Sequence, residues 1–427
     1  MDFAAHLHAH FPKEIVDQII LSLGNPRTYC LLLNTNKISG REFNGRFPNI
    51  RPHPLVVNGY LYDKKEDDFG KHYLHDLGAY YIQEPAAMSV VALLSVRPGD
   101  FVLDLCAAPG GKTAQASIST GDEGLVIAND ISHSRALILS QNIERLGLAN
   151  VVVTNNDFAK LYGGYLDTFD KIILDAPCSG SGMFRKDEKM MKDWTYNKVI
   201  ACQKEQLNLI SLAYSMLKPG GSLAYSTCSF SKEENEDIIG HLLASSDAYL
   251  EKISNTNALY ESPVLENAYY FLPSHFDGEG QFIALIHKPG ALTKTKYQKI
   301  AYRGKLNKIL EGYNLTKRAN IEIANSLYSL NYYLPINKLN IIRYGVRAFD
   351  DIDRKPKPNH HLAHFRDAAR SIELSTVDFA NYTAGEVLSK ECAKGYHLVS
   401  YDRLNAGFVH AVGGQLKNLL PKGLRRR

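Results

Sequence analysis

Apolar positions between residues 101 and 286 cluster in short, mostly apolar runs, at 101–105, 125–128, 151–154, 171–174, 222–225 and 283–286. Most are bounded by glycine, proline or an acidic residue. Runs of this length suit strands covered on both faces. Helical patterning falls at 85–94, 134–146 and 200–217, and Lys218-Pro219-Gly220-Gly221 stops the last of these ahead of the next strand. Strands alternating with helices of this kind predict βαβ units and an α/β fold with a doubly wound parallel sheet. The rhythm begins after Tyr80, and 283–286 reads as its last strand, placing the end of the unit near residue 290.

On either side the pattern is less regular. Residues 1–70 combine helical spacing at 14–23 with short extended pieces such as Pro54-Leu55-Val56-Val57. They close in the charged turn Asp63-Lys64-Lys65-Glu66-Asp67-Asp68, and we read them as a small N-terminal domain. From residue 291 a basic stretch leads into a Tyr/Asn-rich segment with short strands around 340–342 and 395–400. The expected organisation is therefore 1–70, 71–290 and 291–427, without internal repeats or low-complexity tracts.

Composition adds bounds rather than direction. The 427 residues are enough for two or three domains with substantial cores. With 45% hydrophobic and 22% charged residues the chain has the make-up of a globular protein. A net charge of +4 permits an acidic partner without requiring one. The charge is uneven: residues 288–318 hold nine Lys/Arg (288, 294, 296, 299, 303, 305, 308, 317, 318) against the single acid Glu311, and the chain ends Lys422-Gly423-Leu424-Arg425-Arg426-Arg427. Solvated helix faces account for such runs on their own.

Six cysteines (30, 106, 178, 202, 228, 392) in so long a chain make no disulfide framework, and none has CxxC spacing, so no metal site is expected. The first twenty residues carry His, Asp, Lys and Glu where a signal peptide needs an apolar run. No stretch approaches the roughly 18 apolar residues that cross a bilayer. The expectation is a reducing cytoplasm, where thiols stay free for chemistry. Oligomeric state leaves no signature, and a monomer is the default.

The strand ends carry the chemistry. In a parallel α/β sheet ligands bind at the carboxyl ends of the strands. The first strand ends in Asp104-Leu105-Cys106-Ala107-Ala108-Pro109-Gly110-Gly111-Lys112, a glycine turn opening a helix. Such a turn lets the backbone approach a ligand, and the helix amino terminus supplies unpaired N–H groups for a phosphate or a carboxylate. A P-loop needs glycine five residues before Gly111, where Cys106 stands, and GxGxxG is absent as well. Asp130, 26 residues beyond Asp104, ends the second strand, where an acid can accept both ribose hydroxyls of a nucleoside. Asp157 follows the third strand, within reach of an adenine amino group. Helix capping explains any one of these acids. Acids at successive strand ends favour a nucleoside cofactor, with S-adenosylmethionine fitting a site that has no triphosphate signature.

Two thiols face that site, Cys178 in Asp175-Ala176-Pro177-Cys178-Ser179-Gly180 and Cys228 in Ser226-Thr227-Cys228-Ser229. An isolated cysteine is usually a small core hydrophobe, the reading kept for Cys30, Cys202 and Cys392. Cys106 is read as a backbone contributor to the cofactor turn. With Tyr80-Tyr81-Ile82-Gln83-Glu84-Pro85-Ala86, Asn129-Asp130 followed by Arg135 and Asn142, and the segment from Phe184-Arg185-Lys186 to Trp194, these motifs over residues 75–290 resemble the RNA cytosine-5 methyltransferases of the NOL1/NOP2/Sun family. The C-terminal part resembles the bacterial RsmF-type branch that acts on 16S ribosomal RNA. It does so at Arg343-Tyr344-Gly345-Val346-Arg347, Lys357-Pro358-Asn359-His360-His361-Leu362-Ala363, Leu416-Lys417-Asn418 and Pro421-Lys422-Gly423-Leu424-Arg425, although Ala348 stands where glycine is expected.

The resemblance implies a Rossmann-like methyltransferase sheet, a PUA-like α+β RNA-binding C-terminal domain and methylation of cytosine carbon 5. Cys228 is then the nucleophile at carbon 6, turning an unreactive ring into an enamine. Asp175 hydrogen-bonds cytosine N3 and helps protonate it, and Cys178 assists loss of the carbon-5 proton and release of product. Lys112 either approaches the base or caps the turn. Residues 106–112 wrap the methionine end of S-adenosylmethionine, with Asp130, Arg135, Asp157 and Asp175 completing its site. The target base has to leave its stack, and the 288–318 stretch, Arg347 and the terminal arginines are candidates for phosphate contacts.

Three other readings compete. A DNA cytosine methyltransferase uses a Pro-Cys thiol as nucleophile, which would cast Cys178 in that role. Transfer RNA is an alternative substrate. A ribosome-assembly RNA-binding factor with a vestigial cofactor site is the reading from another class, and the intact acids and thiols oppose it.

Overall fold

The computed structural model describes residues 2–160, 162–186, 188–254, 257–298, 306–313, 315–335, 339–365 and 371–426. Of the basic positions named above, Lys299, Arg303, Lys305 and Arg427 lie outside the described residues, as does the side chain of Lys308.

A large mixed sheet organises the chain. Its strands run in the order Tyr260–Glu261, Ala268–Phe271, Gln281–His287, Leu217–Thr227, Phe169–Asp175, Phe101–Asp104, Leu125–Asn129, Val151–Thr154 and Ile341–Tyr344. The five strands from Leu217–Thr227 to Val151–Thr154 are parallel neighbours, the doubly wound arrangement that the apolar runs predict. Chain order reverses between Phe101–Asp104 and Phe169–Asp175, which opens a crevice at their carboxyl ends. The outer strands are antiparallel. Only nine residues separate Ala268–Phe271 from Gln281–His287, too few for a parallel crossover.

The far edge differs from expectation. The strand near 340–342, read as part of the C-terminal segment, pairs antiparallel with the third sheet strand, Ile341 opposite Thr154 and Tyr344 opposite Val152. Tyr344 is fully buried there, so a segment beyond residue 290 completes the sheet. Pro54-Leu55-Val56-Val57, expected to be extended, forms a turn instead. The ring of His53 accepts the N–H groups of Leu55 and Val56 through Nδ1, satisfying donors that a strand would have paired.

The N-terminal region divides between two cores. Leu7, Phe11, Val16 and Ile19, from the helices Phe3–Leu7 and Lys13–Ser22 and the link between them, pack with Leu174, Tyr225 and Phe282 of the large sheet. The four-stranded sheet containing Tyr29–Leu33 and Tyr80–Gln83 shares its core with Leu374, Phe379 and Leu416 from the C-terminal end. That end holds a four-stranded sheet starting at Ala319–Ile323 and a five-stranded one built on Gly395–Tyr401 and Leu404–Val412. Among the described residues, no helix is long and apolar enough to cross a membrane.

Candidate functional site

The turn after Phe101–Asp104 is shaped by two glycines with different needs. Gly110 adopts φ +115°, and a Cβ there would also meet Leu139 at 2.8 Å. Gly111 opens the helix Gly111–Thr120, where a Cβ would lie 2.9 Å from Tyr81 and Gln83. Both therefore let the turn lie close against its neighbours. Thr113 donates to Asp104 Oδ2 at 2.6 Å, while Oδ1 is buried with no partner. Burial pushes the Asp104 carboxyl up to about 7, against the pull of the Thr113 hydroxyl.

Asp130, at the end of Leu125–Asn129, is buried and accepts the N–H groups of Ala108 at 3.3 Å and Ser132 at 2.9 Å. Arg135 lies 3.4 Å from its Oδ2 and donates to the Ala108 carbonyl at 2.8 Å, tying the second strand end to the glycine turn. Asn129 accepts from Thr154 and Asn156 and donates to the Asn156 carbonyl, which carries the lattice on to the third strand end. Asp157 accepts only a local N–H, from Ala159, and is paired with the exposed Lys160.

These groups face a cleft of about 410 Å³. Cys106, Ala108, Asp130, Arg135, Asp157, Asp175, Cys178 and Cys228 line it. Ala107, Pro109, Gly110, Gly111 and Lys112 do not; they lie behind the wall and shape it. The cleft also has apolar walls that motif reading did not single out, among them Ile131, Phe158 and Leu212. Ile131 is 68% exposed beside Asp130, an apolar shelf that a purine ring would cover. A carboxylate beside an apolar shelf, with a second carboxylate at the next strand end, is the acceptor set that a nucleoside's hydroxyl and amino donors need. S-adenosylmethionine fits it.

At the other end of the cleft, Asp175 closes the Phe169–Asp175 strand. Its Oδ1 accepts from Ser226 at 2.6 Å and Gln281 at 3.1 Å, and its Oδ2 from Lys112 Nζ at 2.8 Å. Lys112 is buried, while the Asp175 side chain stays partly open to the cleft. Of the two options left open for Lys112, this contact is compatible with an approach to the base, since it places the ammonium group against Asp175. Cys178 and Cys228 come together across the two strand ends with their sulfurs 3.1 Å apart. The contact with Cys228 pushes the Cys178 thiol up, and burial and the carboxylates of Glu234 and Asp175 act in the same direction. Burial also raises the Cys106 thiol, in keeping with its place as part of the turn.

Several cations singled out for phosphate contacts have internal tasks. Lys288 pairs with Asp167 and caps carbonyls of Tyr214 and Leu217. Arg318 donates to the Ala149 carbonyl, Arg347 pairs with Asp350, Arg425 donates to the Leu420 carbonyl and Arg426 pairs with Asp76. Lys294, Lys296 and Lys317 are exposed.

Comparison with known proteins covers all three regions. A family model described as 16S rRNA methyltransferase RsmB/F matches residues 91–287. One for the N-terminal domain of 16S rRNA methyltransferase RsmF matches 1–85, and one for the RsmF PUA domain matches 369–426. The ribosomal RNA small subunit methyltransferase F of Shewanella piezotolerans is 32% identical, covering 98% of each chain. Its counterpart from Vibrio cholerae serotype O1 is 31% identical over 97% of this chain and 94% of its own. Among solved structures, a methyltransferase homolog protein from Pyrococcus horikoshii superposes with TM-score 0.59 at 29% identity, covering 67% of this chain and 94% of that one. NSun6 from the same organism, solved with SFG, shares the fold with TM-score 0.61 at 23% identity, covering 68% and 98%.

Proposed function

The chain belongs to the ribosomal RNA small subunit methyltransferase F family, and from that membership we propose that it methylates carbon 5 of a cytosine in 16S ribosomal RNA through a covalent Cys228 adduct. It is an S-adenosylmethionine-dependent rRNA methyltransferase. The observation that carries the thiol mechanism is the 3.1 Å approach of Cys178 and Cys228 at the mouth of the cofactor cleft, next to an Asp175 gripped by three donors.

When bound, S-adenosylmethionine supplies an electrophilic methyl group beside the thiols. Asp130 and Asp157 would hold its nucleoside against the apolar side chain of Ile131, and Cys106 and Ala108 of the glycine turn would face its methionine end. The cytosine enters flipped from its stack, since the ring face has to meet Cys228. The Cys228 thiolate adds to carbon 6, and electron density moves to carbon 5 and N3. Asp175 accepts a hydrogen bond from the base edge. Lys112, in contact with Asp175, is the nearby donor that can replace a proton delivered to N3. Once carbon 5 is methylated, its proton leaves with the help of Cys178, and the bond to Cys228 breaks as the ring regains aromaticity. A high thiol pKa keeps Cys178 protonated and out of competition as a nucleophile; in the release step it would hand that proton to the Cys228 sulfur, 3.1 Å away, as the bond to carbon 6 breaks, and take up the carbon-5 proton in its place.

The RNA contacts are proposed for the C-terminal domain and for exposed cations such as Lys294, Lys296 and Lys317, which contribute position rather than sequence reading. Action on ribosomal RNA supports a cytoplasmic location, and we propose that the protein works there as a single chain. Bisulfite sequencing of RNA from a strain lacking the gene tests the substrate. Loss of one or more 16S cytosine marks is expected, and loss confined to transfer RNA would overturn the assignment.

A further inference from the structure

Glu234 lies in the short 3-10 turn Lys232–Glu234, fully buried behind the two thiols. Its Oε1 accepts the Ser179 N–H at 2.6 Å. Its Oε2 accepts the hydroxyls of both Ser179 and Ser229. Gln206 donates to Oε1 at 3.4 Å and to the Pro177 carbonyl at 2.8 Å. Ser179 follows Cys178 and Ser229 follows Cys228, so one carboxylate grips the residue after each thiol.

The two turns are not anchored alike. Cys228 continues a central strand, and Thr227 and Ser229 are also held by Asn235, whose Oδ1 accepts from Thr227 and whose Nδ2 donates to the Ser229 carbonyl. The Cys178 turn leaves the sheet at Asp175. Ala176 donates to the Ser226 carbonyl and Gly182 to the Cys228 carbonyl, which ties its two flanks. At its centre, next to the sulfur, the Ser179 backbone and side chain both reach Glu234, and the Ser179 hydroxyl also lies 3.2 Å from that of Ser229. Every group named around the carboxyl can donate, so the ionised form uses all of them; burial nevertheless pushes the carboxyl up, and the donors oppose only part of that push.

We propose that Glu234 is the positioning residue that sets Cys178 against Cys228, and that it governs release of the methylated base more than attack on it. The proposal rests on the unequal thiol roles set out above. Its charge also favours the thiol form of Cys178, the state in which that group waits for the adduct. Removing the charge with little change of shape, in Glu234→Gln, leaves Cys228 on its strand but loosens Cys178.

The experiment follows methyl transfer and covalent RNA–protein adduct on denaturing gels with unmethylated 16S RNA, for wild type, Cys178→Ala, Glu234→Gln and the double variant. Turnover by Glu234→Gln should fall on the order of 10²-fold, the scale of a misplaced reacting group. Adduct should build up as it does in Cys178→Ala, with S-adenosylmethionine affinity unchanged and the double variant no worse than Cys178→Ala. Ser229→Ala, which opens the joint but keeps the charge on Ser179, should build up adduct to a smaller extent and serves if Glu234→Gln does not fold. Adduct in Cys178→Ala but in neither joint variant overturns the role of Glu234. No adduct in Cys178→Ala overturns the thiol assignment, and the inference with it.

Discussion

Lys112 Nζ lies 2.8 Å from Asp175 Oδ2, so the helix that opens on the cofactor turn also reaches the group proposed to meet the base. The pair links the cofactor half of the cleft to the nucleotide half. Lys112→Met should lower turnover by about 10²-fold, the scale of one general acid–base contribution. S-adenosylmethionine affinity should change little, because Lys112 does not line the cleft. Single-turnover methylation set beside calorimetric cofactor binding separates the two.

Asp130 is expected to carry cofactor affinity. Asp130→Asn keeps an acceptor for the Ser132 N–H but removes the charge offered to the ribose hydroxyls. A charge-assisted hydrogen bond contributes about 1.5–3 kcal/mol, so S-adenosylmethionine should bind roughly tenfold more weakly or worse. Isothermal titration calorimetry reads this directly, and unchanged affinity would place the nucleoside elsewhere.

The order in which these features became readable follows their range along the chain. Acids and thiols at strand ends are legible because the strand itself is a local apolar run and the motif follows at once. Glu234 was not, since its meaning depends on Ser179, 55 residues away, and on a turn that periodicity does not describe. The edge strand Ile341–Tyr344 pairs with residues nearly 190 positions earlier, and local pattern carries no partner information. Charge runs leave internal partners unread for a related reason. Arg318, Arg347 and Arg426 look available in sequence, but folding brings carbonyls and carboxylates to them.

Gly110 offers a test of the turn itself. Gly110→Ala places a Cβ at φ +115° and 2.8 Å from Leu139. The strain should cost about 1–3 kcal/mol of stability in urea denaturation, with cofactor affinity falling alongside. A neutral substitution would mean that the turn does not need its left-handed residue.

Lys37 makes stability depend on pH. Its buried Nζ donates to the carbonyls of Leu77 at 2.6 Å and Arg145 at 3.3 Å and contacts His364 Nδ1 at 3.2 Å, and none of these partners is a carboxylate. Burial, helped by the nearby Arg145 charge, lowers its pKa from 10.5 to about 7. Between those values the unfolded chain binds more protons than the folded one, so this group makes stability rise with pH across the window and contribute no slope below it. Relative to Lys37→Met, wild type should gain roughly 1.4 kcal/mol per pH unit above about pH 7. Paired urea denaturations across that range measure the difference, and parallel pH dependences would contradict it.

The central claim is that the two thiols, with sulfurs 3.1 Å apart, have unequal tasks. Incubation of the Cys228→Ala and Cys178→Ala variants with S-adenosylmethionine and unmethylated 16S RNA, followed by a denaturing gel and peptide mapping, tests it most directly. The account predicts no methyl transfer and no adduct for Cys228→Ala, and a stable RNA–protein adduct mapped to Cys228 for Cys178→Ala. An adduct mapped to Cys178 in the Cys228→Ala variant would contradict it.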